Sequence, residues 1–164
     1  MTTPEFETIV VATDGSESVR RAVGVALDLA RRFDARVEAL YVVDEEEVAS
    51  SPERVREDMR NALQEAGGEA LVDVRSEADR RDVPVETTVR EGRPADEIVD
   101  HARAVDADVV ATGTRGRHGE NRLLVGSVAE AVVRSCPVPV LTVRQVEEAR
   151  RDDGASADTG GRSA

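Results

Sequence analysis

The stretch Thr8-Ile9-Val10-Val11-Ala12-Thr13-Asp14-Gly15-Ser16 decides the fold. Thr8 to Ala12 is a short apolar run with β-branched residues and no polar alternation, the mark of a strand covered on both faces. It stops at Thr13-Asp14-Gly15-Ser16, a turn cluster made of helix-start residues. Beyond it, Val19, Ala22, Val23, Ala26, Leu27, Ala30 and Phe33 fall on one face of a helix. A buried strand, a polar turn and an amphipathic helix form the opening unit of a parallel sheet.

The same alternation runs through the chain. Arg36 to Val43 reads as a second strand, followed by a polar loop from Asp44 to Ser51. Ser51-Pro52-Glu53 carries an N-cap, a proline at the first helical position and an acid in the first turn. The helix it opens extends to about Arg81. Gly67-Gly68 in its middle costs roughly 1 kcal/mol per glycine relative to alanine, which predicts a break there. Val83 to Arg90 is the third strand, Pro94 to Val105 a helix, and Asp108 to Thr112 the fourth strand. A glycine-rich loop then leads to a helix bearing Val125, Val128, Ala129, Val132 and Val133, and Pro137 to Val143 closes as the fifth strand. Residues 1–146 read as one domain, and 147–164, rich in Gly, Ser, Asp and Ala, as a disordered tail.

Five strands alternating with four helices predict an α/β three-layer sandwich with a parallel sheet. Right-handed crossovers leave few topologies, and ligands in such folds bind beyond the carboxyl ends of the strands, where the strand order reverses. Two strand ends resemble each other: Val10-Val11-Ala12-Thr13-Asp14-Gly15 and Val109-Val110-Ala111-Thr112-Gly113-Thr114. They read as two walls of one crevice.

Composition narrows the function. The 164 residues carry a formal charge of −12 and a pI near 4.7. All 22 basic residues are Arg, so a Walker A loop with its Gly-Lys pair is excluded. The acidity gives no electrostatic footprint for nucleic acid or an anionic membrane. No apolar run approaches the roughly 20 residues of a membrane span, and Met1 to Glu7 lacks the regions of a signal peptide. Cys136 is the one cysteine, so no intrachain disulfide forms, and a cytoplasmic setting is expected. About −10 of the charge lies outside 147–164. This lysine-free acidity predicts a salt-rich, halophilic cytoplasm, where screening removes self-repulsion; a GC-rich genome that favours Arg codons is a compatible reading.

The segment from Gly113 to Ser127 reads GTRGRHGENRLLVGS. It leaves a strand and enters a helix, with Gly113, Gly116 and Gly126 spaced so that backbone can approach a ligand. Free amides and the dipole at the helix start attract phosphate, and Ser127 adds a hydroxyl. Arg115, Arg117 and Arg122 against Glu120 make this a basic patch in an acidic chain. The plain alternative is a loop with Gly113 as strand terminator and Ser127 as N-cap. One histidine, His118, without Cys or His neighbours is a poor metal site. His101 reads as structural, Cys136 as a small packed residue, and Glu45-Glu46-Glu47 as solvated.

At these residues the chain resembles the universal stress proteins, over nearly all of Thr8 to Val143. The resemblance is carried by Val10 to Ser16, by Tyr41-Val42-Val43-Asp44, by Gly92 with Pro94 to Val99, and by Ser135 to Val143. The glycine spacing of the loop matches the ATP-binding branch. The resemblance implies a Rossmann-like, adenine-nucleotide alpha hydrolase-like sheet of order 3-2-1-4-5. It implies that Asp14, with Ala12 and Thr13, meets adenine or ribose, that Val42 packs near adenine, and that Thr112 and Gly113 line the ribose. Gly116, Gly126, Ser127 and Val128 would cradle the phosphates of ATP, ADP or AMP, with Mg2+ or Mn2+ held by the phosphates; Arg115 and Arg117 join them on charge alone. It also implies a homodimer through the last strand, where Val138, Val140 and Thr142 alternate as on an edge.

Three functions follow from this reading. In the first, nucleotide occupancy biases a conformation or partner surface, as a regulatory stress-response protein would use it. In the second, an ATPase or phosphotransferase needs a positioned base, and the sequence offers no evident one. In the third, the chain is a dimeric scaffold that holds no nucleotide.

Overall fold

The structure is a computed structural model and describes residues 6–115 and 125–145. Its strands are β1 (Thr8–Ala12), β2 (Arg36–Asp44), β3 (Val85–Gly92), β4 (Val109–Gly113) and β5 (Val140–Val143). All pair in parallel in the order β3-β2-β1-β4-β5, as expected. The helices are α1 (Glu17–Phe33), α2 (Glu45–Ser50), α3 (Arg56–Arg80), α4 (Pro94–Ala104) and α5 (Ser127–Ser135).

The alternation of side chains along β1 divides the core. Ile9 and Val11 face α1 and α3, in a cluster with Leu27, Ala30, Tyr41, Leu71 and Val74. Val10 faces the other way, with Leu40, Ile98, Ala102, Val110 and Val132 under α4 and α5. Three layers result because β1→β2→β3 steps one way and β3→β4→β5 the other, so right-handed crossovers put α1 and α3 on one face and α4 and α5 on the opposite one. Each fully buried Val or Leu contributes about 1.5–3 kcal/mol, which lets a core with only one buried aromatic, Tyr41, hold the sandwich. Phe6 and Phe33 stack edge to face at 5.1 Å and close its lower end.

Three expectations are corrected. The segment after β2 is not all loop: Glu45–Ser50 is helical, with the Asp44 side chain accepting the Glu46 N–H at 2.9 Å as N-cap and three glutamates in the first turn. Nor does Gly67-Gly68 break α3, which runs unbroken over 25 residues. Gly67 is buried against the Tyr41 ring, and a Cβ there would stand 2.5 Å from Cδ1. The glycine is a seat for the ring, and this packing offsets the low helix propensity. The last strand is also shorter than expected, because the segment Pro137–Pro139 supplies only the Pro139 carbonyl, which accepts the Val110 N–H at 2.9 Å.

Three helix ends share one device. Asp34, Asp82 and Asp106 take left-handed conformations with φ of 54°, 54° and 52°. The next residue donates back across the turn, Ala35 to Ala30, Val83 to Ala78 and Ala107 to Ala102, at 2.8–3.0 Å. These are Schellman closures with Asp where glycine is usual, and each aims the chain into the next strand.

The two glycines of α3 give a paired prediction. Gly67→Ala should lower stability by about 1–3 kcal/mol through overpacking on Tyr41. Gly68→Ala meets nothing within 4 Å and should raise stability by up to about 1 kcal/mol. Urea midpoints of the two variants check this; equal shifts would contradict it.

Candidate functional site

The strand order reverses between β1 and β4, so the segments leaving them diverge to opposite faces and open a crevice at their carboxyl ends. It encloses about 300 Å³. Ala12, Thr13 and Asp14 enter from the end of β1, and Thr112, Gly113, Thr114 and Arg115 from the end of β4. Val42 comes from β2, and Gly126, Ser127 and Val128 from the start of α5. Ten of the twelve residues singled out in the sequence therefore meet at one place; Gly116 and Arg117 lie outside the described residues, as do His118, Glu120 and Arg122.

The β1 turn is braced from within. Asp14 Oδ1 accepts the Ser16 N–H at 2.9 Å and the Ser16 hydroxyl at 2.5 Å. Gly15 sits at φ 77°, which favours glycine, and its N–H donates to Thr13 Oγ1 at 3.1 Å. The N-cap of α1 is Ser16, so Asp14 is not the cap but the acceptor that fixes it. Ser18 Oγ–H donates to the Arg115 carbonyl at 3.3 Å and ties the start of α1 to the end of β4. Gly113 is packed beneath this tie: a Cβ there would lie 3.4 Å from the Ser18 carbonyl oxygen.

On the opposite wall the Gly126 N–H donates to the Thr114 carbonyl, so the chain returns to the crevice where it left. Gly126 caps α5 with φ −61° and ψ 156°, a conformation open to any residue. Ser127 is thus the first residue of the helix, not its cap, and is exposed. The first amides of a helix have no partner within it and point along its axis past the N-terminus, and this N-terminus lines the crevice.

Residues the sequence reading passed over complete the walls. Leu40, Ile98 and Pro94 floor the crevice, and Asp44 and Glu47 stand at its β2 side. Glu47 was expected in a solvated loop; helix α2 turns it to the crevice instead. The lining is therefore of mixed charge. Asp44 and Glu47 come from the β2 side, Arg115 and the start of α5 from the β4 side, and Asp14 from β1 between them. Such a crevice suits a molecule with N–H or O–H donors at one end and an anion at the other. Among the described residues no group of three or more His, Cys, Asp or Glu could hold a metal, and no helix is long and apolar enough to cross a membrane.

Comparisons agree on one lineage. The universal stress protein family matches residues 5–144. The universal stress protein MJ0531 of Methanocaldococcus jannaschii is 40% identical over 141 residues, 85% of this chain and 83% of that one. The solved universal stress protein UspA from Lactobacillus plantarum superposes with a TM-score of 0.75 at 25% identity, covering 87% of this chain and all of that one. A universal stress protein solved in complex with cAMP superposes at 0.65 and 27% identity, over 86% of this chain and 98% of that one.

The turn gives a prediction that needs no ligand. Asp14→Ala removes the acceptor of the Ser16 amide and should lower stability by about 1–2 kcal/mol, while Asp14→Asn keeps an acceptor and loses less. Chemical denaturation checks the order of the two; an undiminished Asp14→Ala protein would contradict it.

Proposed function

We propose that this chain, which belongs to the universal stress protein family, binds an adenine nucleotide in the crevice between β1 and β4. Occupancy would bias a surface read by a partner. The observation that carries this reading is the crevice itself, lined by Asp44, Glu47 and Leu40 from the β2 side, by Asp14 from β1 and by the amide end of α5 from the β4 side. Adenosine offers donors in its exocyclic amine and ribose hydroxyls, and Asp14 and its neighbours accept them. Leu40, Val42 and Ile98 give an apolar bed for the base. The phosphates of ATP, ADP or AMP lie toward Ser127, Val128 and Arg115, with Gly116 and Arg117 following in the chain. Mg2+ or Mn2+ would be carried by the phosphates, since the described residues of the walls supply no metal cluster. The complex of a family member with cAMP supports adenine recognition in this fold.

The protein acts in the cytoplasm, and its lysine-free acidic surface is suited to high salt. Residues 1–146 make up the binding domain. A second copy pairs along β5, whose outer edge no described strand covers; Val140 and Thr142 stand along it, and the expected Val138 lies just before it. Turnover of ATP would need a base at the γ-phosphate, and the crevice residues are better suited to binding than to catalysis.

Ser127→Asp separates binding from folding. An acid in the first turn stabilises α5 by about 0.3–1 kcal/mol. The same charge opposes phosphate, so ATP affinity should fall at least about tenfold, or 1.4 kcal/mol, while adenosine affinity stays within about twofold. Calorimetric titration in high salt measures both; equal losses for ATP and adenosine would contradict the proposed polarity. Light scattering should give twice the 17.6 kDa chain mass, and Val140→Glu should return the single-chain value. A wild-type protein of single-chain mass would contradict pairing through β5.

A further inference from the structure

A buried charged cluster lies beneath the crevice and takes no part in its walls. Glu38 of β2 and His101 of α4 are each 6% exposed. His101 Nε2 stands 3.9 Å from Glu38 Oε2 and has no hydrogen-bond partner. That gap is too long for a hydrogen bond, and a buried polar atom left without one is costly. The position of the pair gives it a use. Glu38 lies two residues before Leu40 on the same face of β2, and His101 one turn after Ile98 on the same face of α4. Leu40 and Ile98 floor the crevice.

We propose that Glu38 and His101 form a proton-operated latch, in which one proton taken from solvent draws α4 onto β2 and reshapes the crevice floor at Leu40 and Ile98. With the proton absent, the ring carries its hydrogen on Nδ1, so a carboxylate faces the bare Nε2 acceptor across 3.9 Å. With it present, the pair is carboxyl with imidazole or carboxylate with imidazolium. Either form places a strong donor against an acceptor, and closure to about 2.8 Å moves the contact by about 1 Å.

The surroundings set the pH window. Burial raises the Glu38 carboxyl above its usual 4.5; the Arg36 guanidinium, 3.8 Å away, opposes this, and Glu86 on β3 adds to it. Burial lowers the His101 imidazole below 6.5, and Arg90 on β3 lowers it further. Arg90 is itself held by Glu97 of α4 at 2.6 Å. The other charges near the α4 layer pair at the surface, Asp100 with Arg103 on α4 and Glu130 with Arg134 on α5. Cys136 is the ionisable group that packs in the α4–α5 seam. The stability that His101 gains from staying neutral is present above 6.5 and lost as pH falls through its folded value. The stability that Glu38 gains from staying protonated is present below 4.5 and lost as pH rises through its folded value. Glu38 therefore takes up its proton above 4.5 and His101 its proton below 6.5.

The test uses ligand-free protein and so is independent of the nucleotide reading. Imidazole shifts of His101 are followed by NMR from about pH 8 to about pH 4, with His118→Asn present throughout to leave one imidazole. Methyl shifts of Leu40 and Ile98 are recorded in the same spectra. The latch predicts a His101 midpoint below 6.5, with both methyls moving at that midpoint. Glu38→Gln should lower the His101 midpoint by at least about 0.5 pH unit, because the partner carboxylate is lost, and should abolish the methyl step. His101→Gln should abolish the methyl step as well. Equal His101 midpoints with and without Glu38, or methyls unmoved through the titration, would overturn the proposal.

Discussion

The reversal of strand order at β1 is the constraint on which the rest of the molecule depends. Were the sheet wound in one direction only, right-handed crossovers would place every helix on one face and no crevice would open between strand ends. Because β1 feeds α1 to one face and β4 feeds α5 to the other, their carboxyl ends are left uncovered side by side. Backbone groups there cannot be satisfied by the sheet ladder. The chain answers with side chains at β1, where Asp14 braces Ser16, and with a backbone bond at β4, where the Gly126 N–H donates to the Thr114 carbonyl. The crevice is a product of topology before it is a product of chemistry.

Chemistry then gives the crevice a direction. A surface with an excess of acids everywhere would repel an anion from most approaches. The start of α5 is an exception because its attraction comes from oriented amides, which do not depend on side-chain composition. Arg115 adds a charge at the same end, Asp44 and Glu47 stand at the β2 side, and Asp14 lies between. The polarity therefore survives an amino-acid composition that has removed every lysine.

Much of the fold was legible because its signals are local. Thr8 to Ala12 is uninterruptedly apolar, and burial on both faces demands that. The spacing of Val19 to Phe33 states a helix face directly. The failures have physical causes too. Gly67-Gly68 looked like a break because propensity is a local quantity, whereas the Tyr41 ring that needs Gly67 comes from another element. Helix α2 was passed over although Asp44 and three following glutamates are proper start signals, because a six-residue helix shows no apolar period. Asp34, Asp82 and Asp106 close three helices in a conformation usually marked by glycine, so the stop signal was hidden in a residue read for its charge. In the crevice, residues at strand ends were found by motif. Glu47, Pro94 and Ile98 were not, since only the packing of α2 and α4 against the sheet brings them there.

The most direct measurement of the central claim is the small-molecule content of protein purified in high salt, released by denaturation, with uptake of added ATP measured on the same preparation. The account predicts an adenine nucleotide in the released fraction, or stoichiometric uptake of ATP, and neither in a Gly113→Val variant whose crevice is crowded against Ser18. Protein that carries no nucleotide and takes up none would contradict it and leave the β1–β4 crevice a structural feature of a dimeric scaffold.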